Sequence, residues 1–278
     1  MIPTKEMTPN VPVYPEETIE QVHEAWEMGI TVAHLHARDE AGSPTWDPEI
    51  YRPIFEGVRK HCPGLVVCGS TSGRNFPELE KRSALIELMP DMCSLTLSSL
   101  NFAQHASVNA PDTIVGLLEK MNAWGVHPEF ECFDLGMINY GKYLIGKGLA
   151  KGPYYWNILF GNIAGMQAEF HQMGAALNEI PEGHFVAFAG LGASQTPVMG
   201  AAIAQGLGVR IGLEDNIWYN RKKSTLATNI TLLRRVHQLL EIHERNFMSP
   251  LEFGNYGFYN SGRDQSAGLQ REHPGPAL

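Results

Sequence analysis

Residues 15–36 read PEETIEQVHEAWEMGITVAHLH. In the first part Ile19, Val22 and Trp26 recur at helical spacing, with Pro15 opening the helix and Gly29 closing it. From Ile30 to His36 the pattern changes to a short β-branched and apolar run, which reads as a strand. The same kind of run recurs at Leu65–Ser70, Met92–Leu97, Glu129–Phe133, Tyr154–Phe160, Phe185–Ala189 and Val209–Leu213. Amphipathic stretches separate them, such as DTIVGLLEKMNAWG (112–125) and TPVMGAAIAQGLG (196–208), with Asp112 capping one and Gly125 and Gly208 ending them.

Strand–helix alternation of this kind predicts a parallel sheet covered by helices. Seven strand runs, with helices before the first and after the last, predict a (β/α)8 TIM barrel whose first strand is missing from this chain. On this reading Met1 is an internal methionine of a longer protein, the first strand lies upstream, and a gap separates Ile30–His36 from Val209–Leu213. A doubly wound open sheet is the alternative. The final helix is expected from about Lys222 to Asn246. Residues 1–278 are read as one domain, with 249–278 an irregular tail ending REHPGPAL.

The chain of 278 residues is 44% hydrophobic and 18% charged, with a mean hydropathy of -0.17, an ordinary globular profile. A net charge of -9 argues against general binding to nucleic acid or a membrane surface. No apolar run approaches the ~20 residues of a membrane span. The N-terminus lacks the charged and apolar regions of a secretory signal. The four cysteines lie far apart, and Cys68, Cys93 and Cys132 fall within strand runs. They read as core thiols of a reduced, cytoplasmic protein.

In a barrel of this type the site lies at the C-terminal ends of the strands. The first run ends His34-Leu35-His36-Ala37-Arg38, and alternation places His34, His36 and Arg38 on one face. Two imidazoles at i and i+2 make a chelate for a divalent metal, Zn²⁺ above all; packed core histidines are the plainer alternative. The last run places Arg210, Gly212 and Glu214 on one face, followed by Asp215 and Asn216. Glu214 is a candidate third ligand, and Asp215 is then free to act as a base. Glu131, embedded in Phe130–Phe133, needs a cationic partner, for which Arg210 is the candidate. Ser94, Thr96 and Ser98 share a face, and the loop Ser70-Thr71-Ser72-Gly73-Arg74 suits a carboxylate. The loop Ala189–Gln195 could cradle a phosphate at a helix N-terminus or be an ordinary tight loop.

These motifs resemble the β-keto acid cleavage enzyme family, first described for 3-keto-5-aminohexanoate cleavage. The resemblance runs through PTKEMTPNVPVYPEE, HLHARDEAG, GSTSGR, SLTLSSLNF, EFECFDLG and VRIGLEDN, nearly the whole chain. It implies a zinc-dependent (β/α)8 barrel that converts a β-keto acid and acetyl-CoA into acetoacetate and a new acyl-CoA. It further implies zinc ligation by His34, His36 and Glu214, and a general base at Asp215 tuned by an Arg210–Glu131 pair. Ser70 and Ser94 would hold the substrate's carboxylate and keto end, with Thr96 as the alternative to Ser94. A homotetramer or larger assembly is also implied. Two rivals stand beside it. A metal-dependent hydrolase of the amidohydrolase type would need further histidines at later strand ends. A non-catalytic barrel that binds a small acid would not need Glu214 and Asp215 beside a metal.

Overall fold

Helix α1 (Pro15–Glu27) starts with a proline, whose missing N–H costs nothing in the first turn. The Glu17 carboxylate accepts the Val13 and Tyr14 N–H groups at 2.7 and 3.3 Å, fixing the point of entry. The chain then turns into β1 (Val32–Leu35). In the computed structural model, which describes residues 3–263, six further strands of the same sheet follow. They are β2 (Val66–Gly69), β3 (Met92–Thr96), β4 (His127–Cys132), β5 (Tyr155–Phe160), β6 (Phe185–Gly190) and β7 (Gly208–Arg210).

All six pairings are parallel and the spatial order follows the chain, β1 through β7. The sheet never reverses direction, so it is a curled, TIM-like sheet and not a doubly wound one. β1 and β7 are its two ends and do not pair with each other among the described residues.

Helices α2 (Pro48–His61), α3 (Leu79–Ser83), α4 (Pro111–Ala123), α5 (Leu135–Gly146), α6 (Phe170–Glu179), α7 (Gln195–Gln205) and α8 (Asn229–Ile242) connect or follow the strands. None is long and apolar enough to cross a membrane. The main core lies between sheet and helices. Ala33, Leu35, Val67, Leu95, Phe130, Trp156 and Ile158 face outward into it. The alternate residues, such as His34, Cys68, Ser94, Glu131 and Asn157, face the barrel interior, where polar residues collect toward the strands' C-terminal ends. All four cysteines are buried and free.

Several boundaries differ from expectation. Asp112 sits in the first turn of α4, whose cap is Ala110 with Pro111 at the first helical position. α7 ends at Gly206, where φ is +76°, and Gly208 opens β7 instead of closing the helix. β7 stops at Arg210, whose register partner is Ala189, although β6 runs one residue further to Gly190. α8 is shorter than predicted, because Thr228 caps it and a Trp218–Leu226 bridge occupies the approach.

Residues 249–263 of the tail form short elements packed on the barrel. Helix α9 (Pro250–Phe253) and the wide turn Gly254–Phe258 pack Phe253 and Phe258 under Val66, Cys68 and Met92. They plug the N-terminal mouth of the barrel. The buried Asp91 carboxylate ties this plug down, accepting from Val67 N–H (2.9 Å), Asn260 N–H (3.1 Å) and Arg263 Nη1 (2.8 Å). The final segment, REHPGPAL, lies outside the described residues.

Candidate active site

The opposite mouth gathers the polar residues. β1 ends at Leu35, so His36 leaves the strand yet stays on the His34 side, with the two rings 5.1 Å apart. Arg38 does not join them. Alternation breaks at His36, and Arg38 enters a two-residue ladder with Pro44–Thr45. Its guanidinium instead donates to Gly42 O (2.8 Å) and Pro3 O (2.6 Å), clamping the N-terminal segment.

Past β7 the chain turns sharply, with the Asp215 and Asn216 N–H groups both donating to Gly212 O at 3.2 Å. A turn, not strand alternation, delivers Glu214 to His36. Glu214 Oε2 lies 3.0 Å from His36 Nε2, across the opening between β1 and β7. The Gly-containing loop after β6 supports this turn from behind: Gly192 N–H donates to Asp215 O at 2.8 Å, and Gln195 Nε2 donates to Gly212 O at 3.2 Å.

Arg210 organises the acids. It donates to Glu131 Oε1 at 2.7 Å, Glu214 Oε2 at 2.8 Å and Asp215 Oδ2 at 3.3 Å. The expected Glu131–Arg210 pair is therefore formed inside the barrel. Burial opposes the Arg210 charge, but Asp215, Glu214 and Glu131 outweigh it and hold the guanidinium protonated. Asp215 lies only 5% exposed. Burial raises its carboxyl to about 6 despite Arg210, with Glu214 adding to the rise. For Glu214 the balance is reversed: burial is outweighed by His36 and Arg210, which hold it well below the usual carboxylate range.

The hydroxyl residues divide. Thr96 donates to Glu131 Oε2 at 2.9 Å and lines the cleft. Ser94 Oγ accepts the Thr71 N–H at 3.1 Å, and Ser70 is buried beside it at the start of the loop. Arg74 reaches from the same loop to Glu214 Oε1 at 3.5 Å, with its guanidinium over the Phe102 ring. The cleft is lined by Arg74, Thr96, Glu131, Arg210, Glu214 and Asp215 on its polar side and by Phe102, Phe133 and Leu191 on its apolar side.

Whether a metal fits can be judged from the donors. His34, His36 and Glu214 each offer a ligand atom, all within 4.8 Å of one another. His36 Nε2 is buried without a hydrogen-bond partner, although the Glu214 oxygen is 3.0 Å away. Both are metal-ligand atoms, and their spacing lets one ion sit against them together with His34. Burial also keeps His36 below the ordinary histidine value, leaving its lone pair free. The charges agree. Glu129, Glu131, Glu214 and Asp215 are four carboxylates, and the cations in contact with them are Arg210 and Arg74. Four carboxylates against two arginines make the site acidic, which suits a divalent cation.

Two participants escaped the sequence reading. Glu129 and Asn157 both point into the barrel beside His34. Glu129 was legible in principle, since it stands two residues before Glu131 on the same strand face.

A curled parallel sheet with this site at its C-terminal mouth defines a TIM-like barrel with a candidate metal centre. The chain belongs to the β-keto acid cleavage enzyme family, whose sequence pattern matches residues 1–254. It is 33% identical over 252 residues to the 3-keto-5-aminohexanoate cleavage enzyme of Fusobacterium nucleatum, covering 90% of this chain and 91% of that one. It is 32% identical over 249 residues to the 3-oxoadipate:acetyl-CoA acetyltransferase of Cupriavidus necator, covering 88% and 86%. The apo structure of ObcA has the same fold, with a TM-score of 0.78 at 17% identity over 91% of this chain and 66% of that longer one.

Proposed function

We propose that this protein is a zinc-dependent acyltransferase that cleaves a β-keto acid with acetyl-CoA, releasing acetoacetate and a new acyl-CoA. The observation that carries the reading is the meeting of His34, His36 and Glu214 with the Asp215–Arg210–Glu131 chain at one barrel mouth. The names of the relatives, a keto acid cleavage enzyme and an acetyl-CoA acetyltransferase, support it. No strand after the first carries a histidine at its C-terminal end among the described residues, so an amidohydrolase-type centre has no support.

His34, His36 and Glu214 would hold the zinc, which when bound polarises the substrate's keto oxygen and stabilises negative charge developing beside it. Asp215 removes the proton from C2 of the β-keto acid. Its carboxyl, raised to about 6, is basic enough for this and still ionised near neutrality. Arg210 orients Asp215, and Glu131 with Thr96 holds Arg210. The C2 carbanion attacks the acetyl thioester and expels the CoA thiolate. That thiolate adds to C3, and cleavage of the C2–C3 bond yields the new acyl-CoA. Asp215 returns its proton to C2, completing acetoacetate. In this reading Ser70, with the loop to Arg74, meets the substrate's carboxylate, and Ser94 holds that loop through the Thr71 N–H. Phe102, Phe133 and Leu191 shield the reacting carbons from water.

The test is metal analysis of the purified protein, with acetoacetate release measured from a panel of β-keto acids with and without acetyl-CoA. Stoichiometric zinc and acetyl-CoA-dependent acetoacetate are expected. Acetoacetate from no member of the panel, or release without acetyl-CoA, would overturn the reading.

A further inference from the structure

The His34 ring has a second neighbour that the chemistry above does not use. Its Nδ1–H donates to Glu129 Oε2 at 2.7 Å, deeper in the barrel than Glu214. Glu129 is 3% exposed, and its other oxygen accepts Asn157 Nδ2 at 3.0 Å. The Cys68 thiol donates to Oε2 at 3.3 Å. No lysine or arginine touches this carboxylate among the described residues. This carboxylate, deep in the barrel, is thus matched to the His34 imidazole and two neutral donors.

We infer that Glu129 is the positioning residue of the metal centre: it binds the far nitrogen of His34 and so fixes which nitrogen, and which ring orientation, faces the ion. This inference rests on the metal reading above. With Nδ1 committed to Glu129, only Nε2 of His34 is left for a ligand. A carboxylate behind a ligating imidazole fixes its tautomer and makes it a stronger donor. The register places the device. Cys68 is the cross-strand partner of His34, and Glu131, two residues beyond Glu129, is the partner of Asn157. Glu129 and Asn157 thus meet inside the barrel one layer below the Arg210 cluster.

The same geometry decides between two candidate ligand sets that share His34. An inner set of His34, Cys68 and Glu129 also lies within 4.8 Å. In it His34 Nδ1, Cys68 Sγ and both Glu129 oxygens already hydrogen-bond one another or Asn157. In the outer set His36 Nε2 has no such partner. The inner set is a completed hydrogen-bond network, and the outer set is the one with a vacant donor direction. Glu129 therefore supports the site from behind.

Glu129→Gln tests this cleanly. Its carbonyl can still accept from His34, and a flip of the Asn157 amide turns the partnerless Oδ1 toward the new NH2, so shape survives while charge is lost. Zinc affinity, measured by competition with a chromophoric chelator, should weaken about 10–100-fold, while metal-free wild type and variant unfold at similar temperatures. In the zinc-loaded wild type, ¹⁵N NMR should show His34 protonated at Nδ1. Should Glu129→Gln not fold, Glu129→Asp serves, and a several-fold loss of zinc affinity is expected there. Unchanged zinc affinity in the folded variant, beside tight binding by the wild type, overturns the role of Glu129 alone. A wild type that takes up no zinc overturns the metal reading and this inference with it.

Discussion

At the scale of single residues, Asp215 and Glu214 are adjacent in sequence and separated in role by what each faces. Glu214 meets the His36 imidazole and two guanidiniums, whereas Asp215 meets Arg210 alone among charged groups in contact. The first environment favours a permanently charged ligand and the second a group that can exchange a proton. Asp215→Asn is therefore expected to lower acetoacetate formation about 10²–10⁴-fold while zinc stoichiometry is kept. Loss of metal in step with activity, or full activity, would refute the assignment. Much of this was legible beforehand. The i, i+2 histidines and the Glu131–Arg210 pair follow from strand alternation, because a barrel interior accepts polar side chains only in mutual contact. Glu129 was missed because a single embedded acid was considered, although two stood on the same face. Arg38 was misplaced because alternation was carried past the end of β1.

At the scale of elements, a strand ends where its ladder stops, which a local pattern cannot show. Val209–Leu213 has the composition of a strand throughout, yet its ladder with β6 ends at the Ala189–Arg210 pair and the chain turns about Gly212 O. The freed residues fold into the turn that carries the candidate ligand and base. That turn leans on the loop after β6, and the loop is held by a close approach at Gly190. A Cβ there would lie 2.4 Å from Ser194 O and 2.6 Å from the Gln195 Cα, both backbone atoms that cannot swing aside. Gly190→Ala should cost about 1–3 kcal/mol in urea unfolding. It should also reduce turnover with zinc still bound, because the Gly192 N–H that holds Asp215 O would shift. Wild-type stability together with wild-type rates would show that the loop does not position the base.

At the scale of the whole molecule, the two mouths of the barrel divide the work: one carries chemistry and the other is sealed by the C-terminal segment. The tail was read as irregular, but its aromatic residues fill the N-terminal mouth, which only the assembled sheet can reveal. Phe258 is fully buried and stacks on Phe253 with ring centroids 4.0 Å apart. Phe258→Ala should destabilise the protein by about 3–5 kcal/mol, read from its urea midpoint.

The plug also makes one contribution to acid sensitivity. The His127 ring, at the start of β4, packs edge-on against Phe258 at 6.0 Å. Burial holds its pKa below the ordinary 6.5, against smaller opposite effects from the Tyr259 backbone and Asp91. Above pH 6.5 the ring is neutral in both folded and unfolded chains, so it adds no pH dependence. Below that value the unfolded chain binds the proton first, and stability falls until the lower folded pKa is reached. The whole protein's pH curve does not isolate this effect, because His34 has the opposite sign. Burial and Arg210 oppose the His34 charge, but Glu129 and Glu214 outweigh them, so its contribution is present below 6.5 and lost as pH rises through its raised value. The difference between wild type and His127→Gln cancels His34 and leaves His127 alone. That difference, taken from urea midpoints at a series of pH values, should be constant above 6.5 and move in the variant's favour below it. Curves that stay parallel through the acid range would mean that the ring gains a proton in the folded protein as readily as in the unfolded chain, and that the plug does not keep it dry.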